Sequence, residues 1–156
     1  MEKRSLSNLF KDFLRSLISN DVRFLLVGGH AVGYHGYVRY TGDFDIWIES
    51  TRENAERVVK AVKEFGFDVP ELSVELFLIK PKVVRMGYPP MRIEILTQLS
   101  GVDFDECYPR RRIVTDQGLE IPIISLADLR KNKEAAGRGK DIGDLSELPP
   151  SEEERG

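Results

Sequence analysis

Cysteine is almost absent. Cys107 is alone among 156 residues, so no disulfide can close within the chain and no cysteine-built zinc site can form. No apolar run approaches 18 residues, which leaves no candidate membrane-spanning helix. Residues 1–20 mix Glu2, Lys3 and Arg4 with Leu and Phe and lack the unbroken apolar centre of a signal peptide, so a soluble cytoplasmic protein is expected. Amides are scarce, with four Asn and two Gln beside many charged residues, a composition shared with heat-adapted proteins. Neither sign of charge dominates: 23 Lys and Arg stand against 26 Asp and Glu, for a net charge of −3. That excludes a strongly basic nucleic-acid coat protein but leaves local contact with RNA or a nucleotide open. Three nucleotide and hydrolase signatures are also missing. There is no Gly-x-x-x-x-Gly-Lys-Ser/Thr, no Gly-x-Gly-x-x-Gly and no Gly-x-Ser-x-Gly elbow.

What is present reads as one folded domain. Apolar residues make up 41% of the chain and occur in blocks, and no repeat or internal linker divides it. Leu6, Leu9, Phe10, Phe13, Leu14, Leu17 and Ile18 recur at helical spacing, which predicts an amphipathic helix ending at Asn20 and Asp21. Val22–Val27 is a short apolar strand, Gly28 and Gly29 follow, and a short helix over His30–His35 stops at Gly36. Asp43–Glu49 alternates as a strand; Thr51 caps a helix from Arg52 to Phe65 that ends at Gly66. Residues 72–79 fit helix or strand equally. Val83–Met86 pairs with Arg92–Leu96 around residues 87–90, and Arg112–Thr115 pairs with Leu119–Ile123 around Asp116-Gln117-Gly118. Ser125 caps a helix running to about Ala136. The expectation is a single α/β (α+β) domain over 1–146, a mixed sheet flanked by helices, with a flexible Pro- and Glu-rich tail over 147–156.

The chemistry concentrates in three acids. Asp43 and Asp45 are two apart on a strand, so their side chains share a face, with Cα atoms roughly 6–7 Å apart. Two carboxylates placed so repel each other, and a divalent cation between them reverses that cost. Oxygen donors alone suit Mg²⁺ or Mn²⁺. Glu94 lies between Ile93 and Ile95, so a strand turns it to a polar face. Three carboxylates from neighbouring strands can hold two ions about 3.5–4 Å apart, the arrangement for in-line displacement at phosphorus. Gly28 and Gly29 sit between a strand end and a helix start, where backbone N–H groups can approach phosphate oxygens. A second acid pair, Asp103-Phe104-Asp105, lies in loop-like sequence with no glycine pair upstream and is read as a decoy.

Together these features resemble the nucleotidyltransferase superfamily of the DNA polymerase β type. The segment LLVGGHAVGYHGYVRYTGDFDIWI is similar to the minimal bacterial and archaeal branch, which includes toxin-like and antibiotic-modifying members. The match covers 22–48 and, more loosely, 91–97; Lys133–Leu145 resembles a Lys…Lys-Asp-x-x-Asp-Leu tail of the toxin-like branch. The resemblance implies that Asp43 and Asp45 ligate both metals. It implies that Glu94 ligates one and acts as base toward the acceptor hydroxyl, and that Gly28 and Gly29 meet the β- and γ-phosphates of a nucleoside triphosphate, ATP in the first place. Two positions depart from the family pattern: the third acid is often Asp, and the second glycine often Ser. The implied acceptor is tRNA, a protein or a small molecule, bound on an open face, across a homodimer or on a partner protein. A catalytically silent nucleotide-, RNA- or partner-binding module, half of a toxin–antitoxin or regulatory pair, stays open as an alternative, as does phosphoester hydrolysis by the same carboxylates.

The remaining residues carry two readings each. Arg39 and Thr41 precede the acid pair, Arg39 as a phosphate or carboxylate partner and Thr41 as a turn former. His30 is read as a phosphate contact or as packing in the short helix, and neither it nor His35 has zinc-ligand spacing. Lys133 and Lys140 either neutralise triphosphate charge or are solvated cations at a helix end, and Asp141 pairs with one of them or with Arg39. Arg110-Arg111-Arg112 either touches an RNA acceptor or is a surface run. Cys107 is read as structural. Trp47 shares a face with Asp45, where it packs, shields the site or stacks a base.

Overall fold

The computed structural model describes residues 7–37, 42–88 and 91–150. Six strands form one mixed sheet: β1 (Phe24–Val27), β2 (Asp43–Ile48), β3 (Val83–Met86), β4 (Arg92–Leu96), β5 (Arg112–Asp116) and β6 (Leu119–Ile123), in the order β3-β4-β2-β1-β6-β5. β1 runs antiparallel to β2 and parallel to β6, while β2 runs parallel to β4. The hairpins β3–β4 and β5–β6 form both edges. Around the sheet lie α1 (Asn8–Ser19), α2 (Gly28–Tyr34), α3 (Arg52–Phe65), α4 (Phe104–Cys107), α5 (Leu126–Ala136) and α6 (Gly139–Glu147), with 3₁₀ turns at Glu75–Leu78 and Tyr108–Arg110.

The expected elements form where local chemistry calls for them. Ser7, Thr51 and Ser125 each accept a backbone N–H from the first turn of the helix that follows, and Gly66 and Gly137 end two helices with positive φ. All four residues of β1 are buried, as its uniformly apolar sequence requires. On β2 and β4, alternation splits the sheet into two faces. Phe44, Ile46, Ile48, Ile93 and Ile95 are buried on one face; Phe10 of α1 stacks on Phe44 at 4.6 Å, and Ser16 of α1 donates to the Ala61 carbonyl of α3. The opposite face carries Asp43, Asp45 and Trp47 on β2, directly opposite Arg92, Glu94 and Leu96 on β4. α5 and α6 lie beside this second face, and Asn132 of α5 donates to the Ser100 carbonyl of the loop after β4.

Four expectations change. Within residues 72–79, neither a strand nor an α-helix forms, and Glu75–Leu78 make a 3₁₀ turn that buries Phe77. The stretch read as loop around Asp103 holds α4, which buries Phe104 and Cys107. The short helix begins at Gly28 rather than His30. Finally, α6 was not expected, and packed structure continues past the boundary placed at 146. Leu148 is buried, and Arg130 donates to the carbonyls of Leu145, Leu148 and Pro149. Residues 151–156 of the expected tail, together with Leu6, lie outside the described residues.

Candidate active site

The acid trio assembles on the second face of the sheet. Parallel pairing sets Asp45 directly opposite Glu94 and Asp43 directly opposite Arg92. Asp43, Asp45 and Glu94 each offer an oxygen within 4.8 Å of the others, and among the described residues this is the one such group of potential metal ligands. Its cause is elementary: two strands in register, each with polar residues at alternate positions, stack those positions side by side.

The three acids differ in their partners. Arg92 donates to both oxygens of Asp43, at 3.0 and 3.1 Å, and Arg85 from β3 donates to Glu94 at 2.6 Å. Asp45 differs from both, because its Oδ1 is buried with no hydrogen-bond partner. Burial, then hydrogen bonding to Glu94 and the charges of Glu94 and Asp43, push the Asp45 carboxyl up to about 7, with the charge of Lys140 acting the other way. Such a site is short of positive charge at Asp45. Its donors are oxygens alone, with no nitrogen or sulfur ligand. Both features fit a hard divalent cation, and Asp43, Asp45 and Glu94 are the residues that would hold it.

Gly28 completes the approach to the acids. Its φ is +69°, and a Cβ built there would lie 2.3 Å from Asp45 Oδ2. Only a residue without a side chain brings the β1–α2 turn against that carboxylate. A cleft of about 480 Å³ opens here, lined by Gly28, Gly29, Asp43, Asp45, Arg85 and Glu94 from the sheet side. Asn132, Lys133, Arg138 and Lys140 line it from α5, α6 and the turn between them. The structure therefore brings the acid trio, the glycine pair and both lysines to one cleft.

Several single-residue expectations need correction. Lys133 is not a solvated helix-end cation: it is buried and bridges Asp141 at 3.1 Å and Asp144 at 3.2 Å. Arg138 also pairs with Asp141, at 2.7 Å, so two cations and two carboxylates neutralise one another. Burial alone would raise the Asp141 carboxyl, but hydrogen bonds from Arg138 and Lys133 outweigh it and hold the carboxyl below its usual range. Asp141 thus finds Lys133. Lys140 is the exposed lysine at the cleft. His30 is no lining residue of the cleft; its ring packs edge-on against Phe10 and Phe44 in the core. His35 donates to the Ile124 carbonyl, and burial lowers its pKa. Arg39 and Thr41 lie outside the described residues.

The other candidates take their structural readings. Trp47 is buried edge-on against Phe104. Arg110 forks onto buried Asp128, and Arg111 lies 4.2 Å over the Tyr108 ring, which commits two of the three arginines to the protein's own surface. Burial, with help from Asp128, pushes the Cys107 thiol up to about 12, so it is no nucleophile at neutral pH. Arg85 and Arg92 were missed. Arg92 was detectable, because it stands two residues before Glu94 and so shares its face. Arg85 was not, because its place opposite Glu94 depends on the β3–β4 register.

No family model matches the chain, and no curated protein is significantly similar to it. Among solved structures it is similar to a presumed nucleotidyltransferase from Thermotoga maritima, with a TM-score of 0.61 and 19% identity over 88% of each chain. At that identity the likeness concerns the fold: helices around a mixed six-stranded sheet in the nucleotidyltransferase-like arrangement.

Proposed function

We propose, from a nucleotidyltransferase-like fold that carries an acid trio beside a glycine turn, that this protein is a metal-dependent nucleotidyltransferase. It would move a nucleoside monophosphate from a nucleoside triphosphate, ATP foremost, to a hydroxyl and release pyrophosphate. The observation that carries this reading is the trio itself: Asp43, Asp45 and Glu94 within 4.8 Å, with a buried, unpartnered oxygen on Asp45. When bound, divalent cations supply charge neutralisation on the transferring phosphoryl group and a lowered pKa at the attacking hydroxyl. Asp43 and Asp45 would hold them, with Glu94 as third ligand. In the transfer, the acceptor oxygen would form a bond to the α-phosphorus as the bond to the pyrophosphate oxygen breaks, and Glu94 would take the hydroxyl proton. The Gly28-Gly29 turn lines the cleft, where its backbone N–H groups would meet phosphate oxygens. Lys140 and Arg85, both lining the cleft, add positive charge for a polyphosphate.

The glycine pair, Asp43-x-Asp45 and the Lys140-Asp141-x-x-Asp144 segment favour the toxin-like and antibiotic-modifying branch, with tRNA, a protein or a small molecule as acceptor. The test is to incubate purified protein with α-labelled nucleoside triphosphates, Mg²⁺ or Mn²⁺ and a mixed tRNA, protein and aminoglycoside panel. A labelled acceptor with equimolar pyrophosphate supports transfer, and free nucleoside monophosphate alone points to hydrolysis. Undiminished labelling by Asp43→Asn contradicts the assignment.

One observation favours a silent binding module as a second reading. Arg92 and Arg85 already neutralise two of the three acids. Calorimetry separates the two: a module binds Mg·ATP and releases no pyrophosphate with any acceptor.

A further inference from the structure

The two arginines over the acid trio are placed to do more than offset charge. Arg92 engages both oxygens of Asp43, and its Nε also lies 3.9 Å from Glu94 Oε2; Arg85 engages that same Glu94 oxygen. Both oxygens of Asp43 and one oxygen of Glu94 therefore already carry guanidinium groups, while among the described residues Asp45 is bonded to none. The occupancy is lightly held. The Arg85 side chain is 57% exposed, and Arg92 and Asp43 are each 31% exposed. Ion pairs of that exposure contribute little to stability and break readily. Arg85 also lines the cleft, so once it leaves Glu94 its fork faces the space where a polyphosphate would lie.

We propose that Arg85 and Arg92 are exchangeable counter-ions: they hold Glu94 and Asp43 together before a divalent cation enters, compete with it, and on its entry Arg85 transfers to a phosphate of the nucleotide. The inference rests on the functional reading above and adds an ordering to it. The metal-loaded triphosphate would release the arginine that then helps to hold it, so metal and polyphosphate bind cooperatively. A permanent structural pair would show no such linkage.

The probes are Mn²⁺ alone, followed by electron paramagnetic resonance, and inorganic tripolyphosphate added with Mn²⁺, on the full chain. Methionine at either position keeps the apolar stem and removes the charge. Arg85→Met and Arg92→Met each tighten Mn²⁺ alone, by about two- to fivefold on the scale of an exposed ion pair. Arg85→Met weakens tripolyphosphate in the presence of Mn²⁺ by about tenfold, as expected for a lost charged hydrogen bond. Arg85→Lys restores part of that loss, because the charge returns without the fork. The opposite signs identify exchange. Mn²⁺ affinity that is unchanged or weakened in both folded variants overturns the inference while leaving the metal site standing. Absence of Mn²⁺ binding from the wild type and from the Arg85→Met/Arg92→Met double variant overturns both the inference and the functional reading. Binding by the double variant alone supports competition.

Discussion

Two clusters of acids stand at this cleft, one lining it and one buried behind Lys133 and Arg138, and they are built on opposite principles. Asp141 and Asp144 on α6 are buried, yet Lys133 and Arg138 match them charge for charge. Asp43, Asp45 and Glu94 on the sheet are more open, and Asp45 keeps an oxygen with no partner. A buried charge without compensation costs several kcal/mol, so a protein that leaves one does so where something else completes it. The helix cluster is finished as it stands and serves to dock α6 on α5. The sheet cluster is unfinished, and that, more than its acidity, marks it as the candidate reaction centre.

The sharpest way to break this contrast is Asp45→Asn. It is expected to take metal-dependent pyrophosphate release to background while the circular dichroism spectrum stays native. Lys133→Met is expected to do the reverse in kind. It removes the one cation shared by Asp141 and Asp144, leaves Asp141 to Arg138, and costs about 3–5 kcal/mol in denaturant unfolding, the penalty for breaking a buried pair from one side. If Lys133→Met leaves the unfolding midpoint in place, the helix cluster is not the docking device described here.

Gly28→Ala probes the sheet cluster through the backbone. A left-handed φ costs a side-chain-bearing residue about 1–2 kcal/mol, and the new Cβ collides with Asp45 Oδ2. Stability should fall by that amount, and Mn²⁺ affinity should fall more steeply, because the displaced group is a proposed ligand. Equal binding in the variant would show that Asp45 is free to move aside.

The smallest effect is a pH dependence. The Asp45 carboxyl titrates near 7 in the folded chain against an ordinary 3.8, so the folded state binds the extra proton between those values. A raised acid pKa therefore favours folding at low pH, and the advantage is lost as pH rises through 7. Without divalent cations, Asp45→Asn is expected to melt above the wild type at pH 8, by about 2–4 °C for each kcal/mol regained, with a smaller gap at pH 5.5. A gap that widens toward acid pH would reverse the sign and contradict the burial argument.

The contrast also explains what could be read from the sequence. The acid trio was legible because strand alternation is a period-two pattern that apolar neighbours make visible: Phe44, Ile46, Ile93 and Ile95 point one way, so the acids point the other. The caps Thr51 and Ser125 were legible for the same local reason. α6 was not. Its buried positions include Asp141 and Asp144, so hydrophobic periodicity had little to detect, and Gly139 and Gly143 weaken its helix propensity. The burial of Lys133 follows from α6 and was hidden with it. Arg85 was hidden differently, behind a strand register that no short-range signal specifies. The packing of His30 against Phe10 depends on how α1 crosses the sheet, a tertiary fact absent from residues 28–35 alone.

The most direct test is anomalous diffraction from crystals grown with Mn²⁺ and a non-hydrolysable nucleoside triphosphate. The account predicts manganese coordinated by Asp43, Asp45 and Glu94, with the phosphates against Gly28 and Gly29 and nothing at Asp141 and Asp144. Manganese absent from the sheet acids, or seated between the helix acids instead, would contradict it.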